Sequence, residues 1–355
     1  MEGKARKLGG SLQVPNVQEL AKDGLSELPL RYVHPEMEPA LVTTDDFLPE
    51  VPVVDMARLA SVELGAEELE KLRFACSEWG FFQVVEHDVS RSLIEEMKAE
   101  IGRFFGLPLE EKRRYAQEPG DLEGYGQAFV VSEEQRLDWA DMFYVVTQPT
   151  SMRKPHLLPK LTAHFKDCVE AYSTELKRLA VSILGSVSKA FKMDGEEMRE
   201  LFDEGMQSMR SNYYPPCPQP ELAIGLTPHT DPTGLTILLQ ANDTEGLQVR
   251  KGGHWIPVKP FPNAFIVNIG DMLEIISNGA CRSLEHRAVV NSEQARISVA
   301  TFLSPNLQGD VGPARSLITP PDTPPLFKTV SVEEYFKGVF AKKLDGKAYI
   351  NSMRI

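Results

Sequence analysis

A series of short apolar segments between about residues 225 and 305 constrains the fold more than any other feature of the sequence. Turn residues separate the segments, and a Gly252-Gly253 pair stands between two of them. Many short strands at near-regular spacing are typical of a β-sandwich or barrel. The predicted strands are residues 235–239, 247–249, 254–258, 265–269, 273–277, 287–291 and 297–302.

Upstream of these strands, the apolar pattern predicts helices. Between Phe165 and Phe191, apolar residues recur at spacings of three and four, which places them on one face of a long helix. Residues 53–55, 65–78 and 80–85 read as strand, helix and strand, a βαβ-like unit. Because an apolar helix face needs a flat partner, we predict a mainly β fold: a jelly-roll core (double-stranded β-helix) with a helical buttress.

Changes of composition along the chain predict four segments. They are an N-terminal arm (1–52) that packs on the body, a mainly helical region (53–205), the jelly-roll core (206–310), and a C-terminal loop with a lid helix (311–355). Ser331 and Glu334 form a capping box at the start of that helix. At 355 residues, one core with its support is favoured over two independent domains.

Charge and composition exclude several kinds of partner. With 51 acidic and 38 Lys and Arg residues, the net charge is −13, which repels nucleic acid and anionic membranes. No stretch approaches the ~20 apolar residues of a membrane helix, and none resembles a signal peptide. The four cysteines are too few and too far apart for a disulfide framework. We therefore expect a cytoplasmic protein that binds neither nucleic acid nor membrane.

Two of the seven histidines stand in a context that suggests a metal site. His229 and Asp231 are two residues apart at the start of a predicted strand, so their side chains leave on the same face. His286 lies 55 residues after Asp231 in another β-rich run. Two His and one Asp form the facial triad of non-haem Fe(II). A lone His-x-Asp also occurs by chance, and Cys217, a conceivable thiolate ligand, fits a structural role better.

A second pair supports the metal interpretation. Arg296 and Ser298 are two residues apart on a predicted strand and present a guanidinium and a hydroxyl to one side. A planar guanidinium matches a carboxylate, so this pair could hold the far end of a dicarboxylate that chelates the metal. Asn212 and Tyr214 lie near the same strands, where they either stabilise a turn or hold the cosubstrate.

Nearly the whole chain resembles the plant Fe(II)- and 2-oxoglutarate-dependent dioxygenases. The matching runs are residues 78–83 (EWGFFQ), 212–218 (NYYPPCP), 229–231 (HTD), 268–271 (NIGD), 285–287 (EHR) and 296–298 (RIS). Residues 126–132, 137–141 and 344–349 look closest to the senescence-related subgroup. That subgroup is similar to the alkaloid O-demethylases, the norcoclaurine-synthase-type dioxygenases and the coumarin-forming hydroxylases.

The resemblance implies a function and its site residues. Fe(II) would be bound by His229, Asp231 and His286, and 2-oxoglutarate by Arg296 and Ser298 with Tyr214 and Asn212 nearby. Facing the iron we expect Phe129, Met142, Tyr144, Arg210 and Phe302, although each also suits a plain core position. The implied enzyme hydroxylates or O-demethylates a specialised, aromatic small molecule with O₂, has ascorbate as an activator and is a monomer.

Two alternatives to this function stay open, and the chain departs from the family pattern at one place. The same residues suit a metal-bound jelly roll that acts as a lyase or oxidase without 2-oxoglutarate. They also suit a cupin-like protein that binds a ligand without turnover. Where the family commonly has Asn-His-Gly, this chain has Glu86-His87-Asp88, which puts a surface turn in doubt rather than the chemistry.

Overall fold

The computed structural model describes residues 9–22, 24–39 and 49–355, so residues 1–8, 23 and 40–48 of the predicted arm lie outside the described residues. The strands are β1 (Val53–Asp55), β2 (Phe81–Val85), β3 (Gly124–Gly126), β4 (Asp141–Gln148), β5 (Gln207–Tyr214), β6 (Ile224–His229), β7 (Leu235–Gln240), β8 (Leu247–Lys251), β9 (His254–Pro257), β10 (Phe265–Ile269), β11 (His286–Val289), β12 (Arg296–Leu303), β13 (Asp310–Val311) and β14 (Val330–Ser331). The α-helices are α1 (Val17–Lys22), α2 (Met56–Ala60), α3 (Gly65–Phe74), α4 (Arg91–Gly106), α5 (Leu109–Arg113), α6 (Ala163–Ala190), α7 (Gly195–Phe202), α8 (Asp271–Ile276), α9 (Val332–Phe340) and α10 (Ala348–Ser352).

Two sheets form the core, as predicted for a jelly roll. The larger has the strand order β1-β2-β10-β7-β12-β5-β4-β3, and the smaller has β6-β11-β8-β9. Alternate residues along the larger sheet point to opposite faces: Leu238 and Ile266 pack with Val249 of the smaller sheet. Their neighbours Ile237 and Val267 pack on the helical side. The inner faces of the two sheets therefore enclose a space, and the outer face of the larger sheet needs a cover.

The long predicted helix is confirmed and helps to cover that outer face. Helix α6 runs over Ala163–Ala190, and Oγ1 of Thr162 caps it by accepting a hydrogen bond from the Phe165 amide. Tyr172 is fully buried on α6, with its ring 6.4 Å from that of Phe265 on β10. No helix within the three described ranges combines the length and the apolar character that crossing a membrane requires.

One predicted strand is wrong. Residues 273–277 belong mostly to helix α8, Asp271–Ile276, in which every residue is buried. The amides of Leu273 and Glu274 each donate to the Gly270 carbonyl oxygen over 3.1 Å. A short apolar run bounded by a glycine suits a buried helix as well as a buried strand, so periodicity could not decide between them.

The predicted helical region also supplies strands. Strands β1 to β4 lie within 53–205 and belong to the larger sheet, and β3, β4 and β5 had not been predicted. Part of the arm packs on the body, because the Asp141 carboxylate accepts hydrogen bonds of 2.9 Å from the amides of Val17 and Gln18. The boundaries of the four predicted segments, after residues 52, 205 and 310, remain a prediction.

Candidate active site

Three predicted site residues meet where two strands of the smaller sheet lie side by side. His229 ends β6 and His286 begins β11, and the antiparallel register makes them direct partners. The prediction that His229 and Asp231 stand at the start of a strand is therefore wrong, because Asp231 lies in the loop between β6 and β7. Their ring centroids are 4.3 Å apart. Oδ1 of Asp231 lies 3.5 Å from Nε2 of His229 and 3.7 Å from Nε2 of His286.

Backbone carbonyl groups orient both imidazoles. Nδ1 of His229 lies 2.8 Å from the Thr227 carbonyl oxygen, and Nδ1 of His286 lies 3.2 Å from that of Leu284. A ring that donates from Nδ1 keeps its lone pair on Nε2, the atom that faces Asp231. Burial, together with neighbouring His229, lowers the pKa of His286 to about 4, so this ring is neutral and can bind a metal.

Two polar side chains hold the carboxylate of Asp231. Its Oδ2 accepts hydrogen bonds from Oγ1 of Thr236 (2.6 Å) and Nδ2 of Asn268 (2.8 Å). Burial by itself raises the pKa of Asp231, but the interactions of its carboxylate with His286 and His229 and the hydrogen bond from Asn268 outweigh it and hold the pKa well below its usual value. Asp231 is therefore ionised, with Oδ1 directed at the two histidines.

The donor set fits a facial metal site. One ligand atom from each of His229, Asp231 and His286 lies within 4.8 Å of the others, and no other group of three or more His, Cys, Asp or Glu in the described ranges meets this test. Two imidazoles and one carboxylate match non-haem Fe(II) and leave further coordination positions open. These three residues would hold the iron.

A buried guanidinium lies in the same space. Arg296 is 2% exposed; it donates to Oε1 of Gln240 over 2.9 Å and to Oγ of Ser298 over 3.4 Å, while its Nε has no partner. Burial lowers its pKa, and no carboxylate among the described residues acts on it. A buried cation without a counter-ion is costly, so this site favours an anionic ligand.

The strand register assembles the rest of the predicted cosubstrate site. Arg296 of β12 pairs with Tyr214 of β5, and Ser298 pairs with Asn212. The guanidinium lies 5.1 Å from the centre of the Tyr214 ring. Arg296 and Ser298 are two residues apart on β12, and Asn212 and Tyr214 are two residues apart on β5. All four side chains therefore point to the inner face. Their arrangement fits the distal carboxylate of 2-oxoglutarate.

One cavity joins the metal-ligand cluster, the Arg296 site and all five predicted substrate residues. It holds about 1080 Å³ of space free of protein atoms, including the part open to solvent. From the predicted set, its wall includes Phe129, Met142, Tyr144, Arg210 and Phe302. Helix α9 contributes Phe336, Val339 and Phe340, which agrees with its predicted place as a lid. Contact with substrate remains a prediction for each of them.

Sequence reasoning missed several residues of this site. Thr236 and Asn268 support Asp231, and Gln240 supports Arg296, as described above. Further wall residues that had not been predicted include Met206, Ser208, Leu226, Leu238, Leu247, Ala288, Ala300 and Leu344. Alternation along β5 could have indicated Ser208, which continues the series Tyr214, Asn212, Arg210.

Three residues that the sequence left aside lie elsewhere. Cys217 is buried in an apolar cluster away from the cavity wall, and burial raises its pKa to about 11. His254 is exposed. The carboxylate of Asp271 accepts hydrogen bonds from the hydroxyls of Thr230 and Tyr335 at 3.0 and 3.2 Å.

Known families match both halves of the chain. The 2OG-Fe(II) oxygenase superfamily matches residues 205–305, which contain the metal-ligand cluster and Arg296. The family described as non-haem dioxygenase in morphine synthesis N-terminal matches residues 51–161.

Curated relatives match the chain from end to end. A flavonoid 7-O-demethylase of Ocimum basilicum is 53% identical over 99% of this chain and 94% of its own length. Protein SRG1 of Arabidopsis thaliana and thebaine 6-O-demethylase of Papaver somniferum are each 50% identical over the full length of both chains. These relatives support the 2-oxoglutarate-dependent interpretation over the lyase, oxidase and binding-protein alternatives.

A solved structure agrees with the fold. The crystal structure of JOX2 in complex with 2OG, Fe and JA has a TM-score of 0.87 at 35% identity and covers 97% of this chain and 98% of that one. The rice dioxygenase for auxin oxidation has a TM-score of 0.72 at 27% identity, over 86% of this chain and all of that one. These full-length relatives agree with the metal-ligand cluster and the buried Arg296. The chain therefore belongs to the plant Fe(II)- and 2-oxoglutarate-dependent dioxygenases.

Proposed function

We propose that this enzyme O-demethylates a planar, methoxylated aromatic small molecule. The observation that carries the proposal is a single cavity in which an aromatic and apolar wall faces the metal-ligand cluster. Support comes from relatives at 53%, 50% and 48% identity, which are a flavonoid 7-O-demethylase, thebaine 6-O-demethylase and codeine O-demethylase. In this proposal His229, Asp231 and His286 bind Fe(II), and Arg296, Ser298, Tyr214 and Asn212 hold 2-oxoglutarate.

The cofactors supply oxidation of a C–H bond by O₂, with succinate and CO₂ as co-products. At an aryl methoxy group the product is a hemiacetal, which releases formaldehyde and leaves a phenol. One molecule each of O₂ and 2-oxoglutarate is consumed per methyl group removed. Because this oxidation is intrinsically unselective, the position of the substrate decides the product.

Two polar residues on the wall are suited to orient the substrate. Arg210 and Tyr144 are cross-strand partners on β5 and β4, and both line the cavity. Nε of Arg210 is buried without a hydrogen-bond partner. Burial raises the pKa of Tyr144, so its hydroxyl remains a donor. Both groups would donate to oxygen atoms of the substrate, such as a carbonyl or a phenol.

The test uses 7-methoxyflavone as the probe. Purified enzyme with Fe(II), 2-oxoglutarate, ascorbate and O₂ should form 7-hydroxyflavone, formaldehyde and succinate in equal amounts, measured by chromatography and a formaldehyde assay. The His229→Ala variant should form none, and His254→Ala, which changes an exposed histidine, should match the wild type. Succinate release above the His229→Ala level without loss of methyl groups from any methoxyflavone would refute O-demethylation and leave the dioxygenase class intact.

The same assay separates the two alternatives. Product formation that persists without 2-oxoglutarate and in Arg296→Leu would favour the lyase or oxidase. Tight binding of the flavone by metal-free protein, with no product under O₂, would favour the ligand-binding protein. We further propose a cytoplasmic monomer that is activated by ascorbate; size-exclusion chromatography with light scattering, and turnover with and without ascorbate, test the last two points.

A further inference from the structure

The described part of the N-terminal arm lies against the loop of residues 127–131, and two hydrogen bonds join them. The Val130 amide donates to Oγ of Ser11 over 3.1 Å, and the Leu12 amide donates to the Val130 carbonyl oxygen over 2.8 Å. Ser11 and Val130 are both buried. The arm therefore holds the main chain of Val130 at its N–H and at its C=O.

The residue before Val130 has a strained backbone. Phe129 has a φ of 63°, in the left-handed region that side chains with a Cβ rarely adopt. Gln135 supports the same turn, since its Nε2 donates to the Phe129 carbonyl oxygen over 2.8 Å and its Oε1 accepts from the Val131 amide over 2.9 Å. Such a conformation persists only where the surroundings impose it, and here the arm and Gln135 do so together.

This strained turn places the Phe129 ring in the cavity wall, next to the lid helix. Its centroid lies 5.7 Å from that of Phe340 on α9, and Phe340 stacks on Phe336 at 5.5 Å. All three rings line the cavity. The contact between Phe129 and Phe340 thus closes the seam between the loop and α9.

Gly9 allows the arm to approach this seam, and Gly10 allows it to pass close to Gly120. A Cβ on Gly9 would stand 2.4 Å from Cβ of Phe340, and a Cβ on Gly10 would stand 2.6 Å from the backbone of Gly120. Real Cβ atoms do not approach other carbon atoms so closely. The arm therefore contacts the loop and the end of the lid helix at the same time.

We infer that residues 9–12 support the substrate site from outside the cavity: they position Phe129 against Phe340 and so complete the cavity wall around an aromatic substrate. The substrate class rests on the proposed function. Ser11 is a positioning residue that acts through Phe129. Loss of the Ser11 contact should weaken the binding of the aromatic substrate, because the substrate loses contact area with the rings of Phe129 and Phe340. The site of 2-oxoglutarate should be unaffected.

The test compares Ser11→Ala and Gly10→Val with the wild type. KM for 7-methoxyflavone should rise about five-fold or more in Ser11→Ala, the size expected for one lost hydrogen bond, and also in Gly10→Val, whose side chain would meet the Gly120 backbone, while kcat and KM for 2-oxoglutarate stay within two-fold in both. Hydrogen–deuterium exchange of full-length enzyme without flavone should become faster in the peptides covering residues 127–135 and 332–340. Ser186→Ala removes a serine–backbone hydrogen bond on helix α6 and should change none of these values.

The exchange measurement decides the inference independently of the substrate. If the wild type does not act on 7-methoxyflavone, the proposed function fails, while faster exchange in both peptides would still support the role of the arm. Unchanged exchange at residues 332–340 in both arm variants would refute it. An equal rise in both KM values would also refute it, because that result indicates a general structural role.

Discussion

Asp231 shows how one residue combines a structural and a chemical role. Its Oδ2 binds Thr236 and Asn268, while its Oδ1 faces both histidines. The hydrogen bonds to Oδ2 fix the direction in which Oδ1 points. Outer hydrogen bonds of this kind commonly orient metal ligands, and their loss affects the metal as much as the fold.

We expect Asp231→Ala to abolish turnover while the fold survives. The variant loses one of three metal ligands, but the two donors left behind border a cavity that is open to solvent, where water can replace the carboxylate. The cost in unfolding free energy should be about 1–2 kcal/mol. Succinate assays and thermal unfolding of metal-free protein check this; a collapse of the melting transition would contradict it.

The Glu86-His87-Asp88 turn gives a prediction about stability. Both acidic residues have left-handed backbones, with φ of 50° for Glu86 and 58° for Asp88. Asp88 is exposed, and glycine adopts this φ without strain. Asp88→Gly should therefore raise the free energy of unfolding by up to about 1 kcal/mol, measured by denaturant titration.

Asp88→Ala is the matched control for that change. Alanine keeps a Cβ and lacks the short polar side chain that helps Asp to tolerate this conformation, so it should give no gain. Equal stabilisation by both substitutions would show that the turn is not strained.

At the scale of elements, helix α9 depends on a local cap. Oγ of Ser331 accepts from the Glu334 amide over 3.2 Å, which confirms the N-cap predicted from the sequence. Ser331→Ala should cost about 1 kcal/mol of stability, whereas Ser331→Asp should keep most of it, because Asp is an equally good N-cap. Thermal unfolding measures both variants. An equal loss in the two would mean that the hydroxyl is not the relevant contact.

The elements also show where prediction from the sequence stops. Helix α6 was predicted because its apolar periodicity extends over many turns. Most strands of the jelly roll were predicted because turn residues bound each short apolar segment. Helix α8 was mistaken for a strand because a run of six residues, four of them apolar, is too short to distinguish a helix from a strand. Strand β5 was missed because Gln207–Tyr214 carries polar residues on the face that lines the cavity.

At the scale of the whole molecule, the site is a product of two facing sheets. The two histidines of the metal-ligand cluster come from β6 and β11 of the smaller sheet, Asp231 follows β6, and Arg296 comes from β12 of the larger sheet. The cavity between them receives further residues from the loop at Phe129 and from α9. Chain segments that are far apart in sequence therefore complete one site, and truncation at either end of the chain is expected to affect it.

The sequence by itself determined the chemistry of the site. Residue type indicated the metal ligands, and two-residue spacing settled that Arg296 and Ser298 share a face of β12, since alternation along a strand is a local property. Asp231 follows the end of β6 at His229, so strand alternation does not account for its place beside the two histidines. Only the tertiary structure decided that His286 lies opposite His229 and that the arm lies against Phe129. Strand register and the approach of distant segments depend on packing over the whole core, which no local pattern encodes.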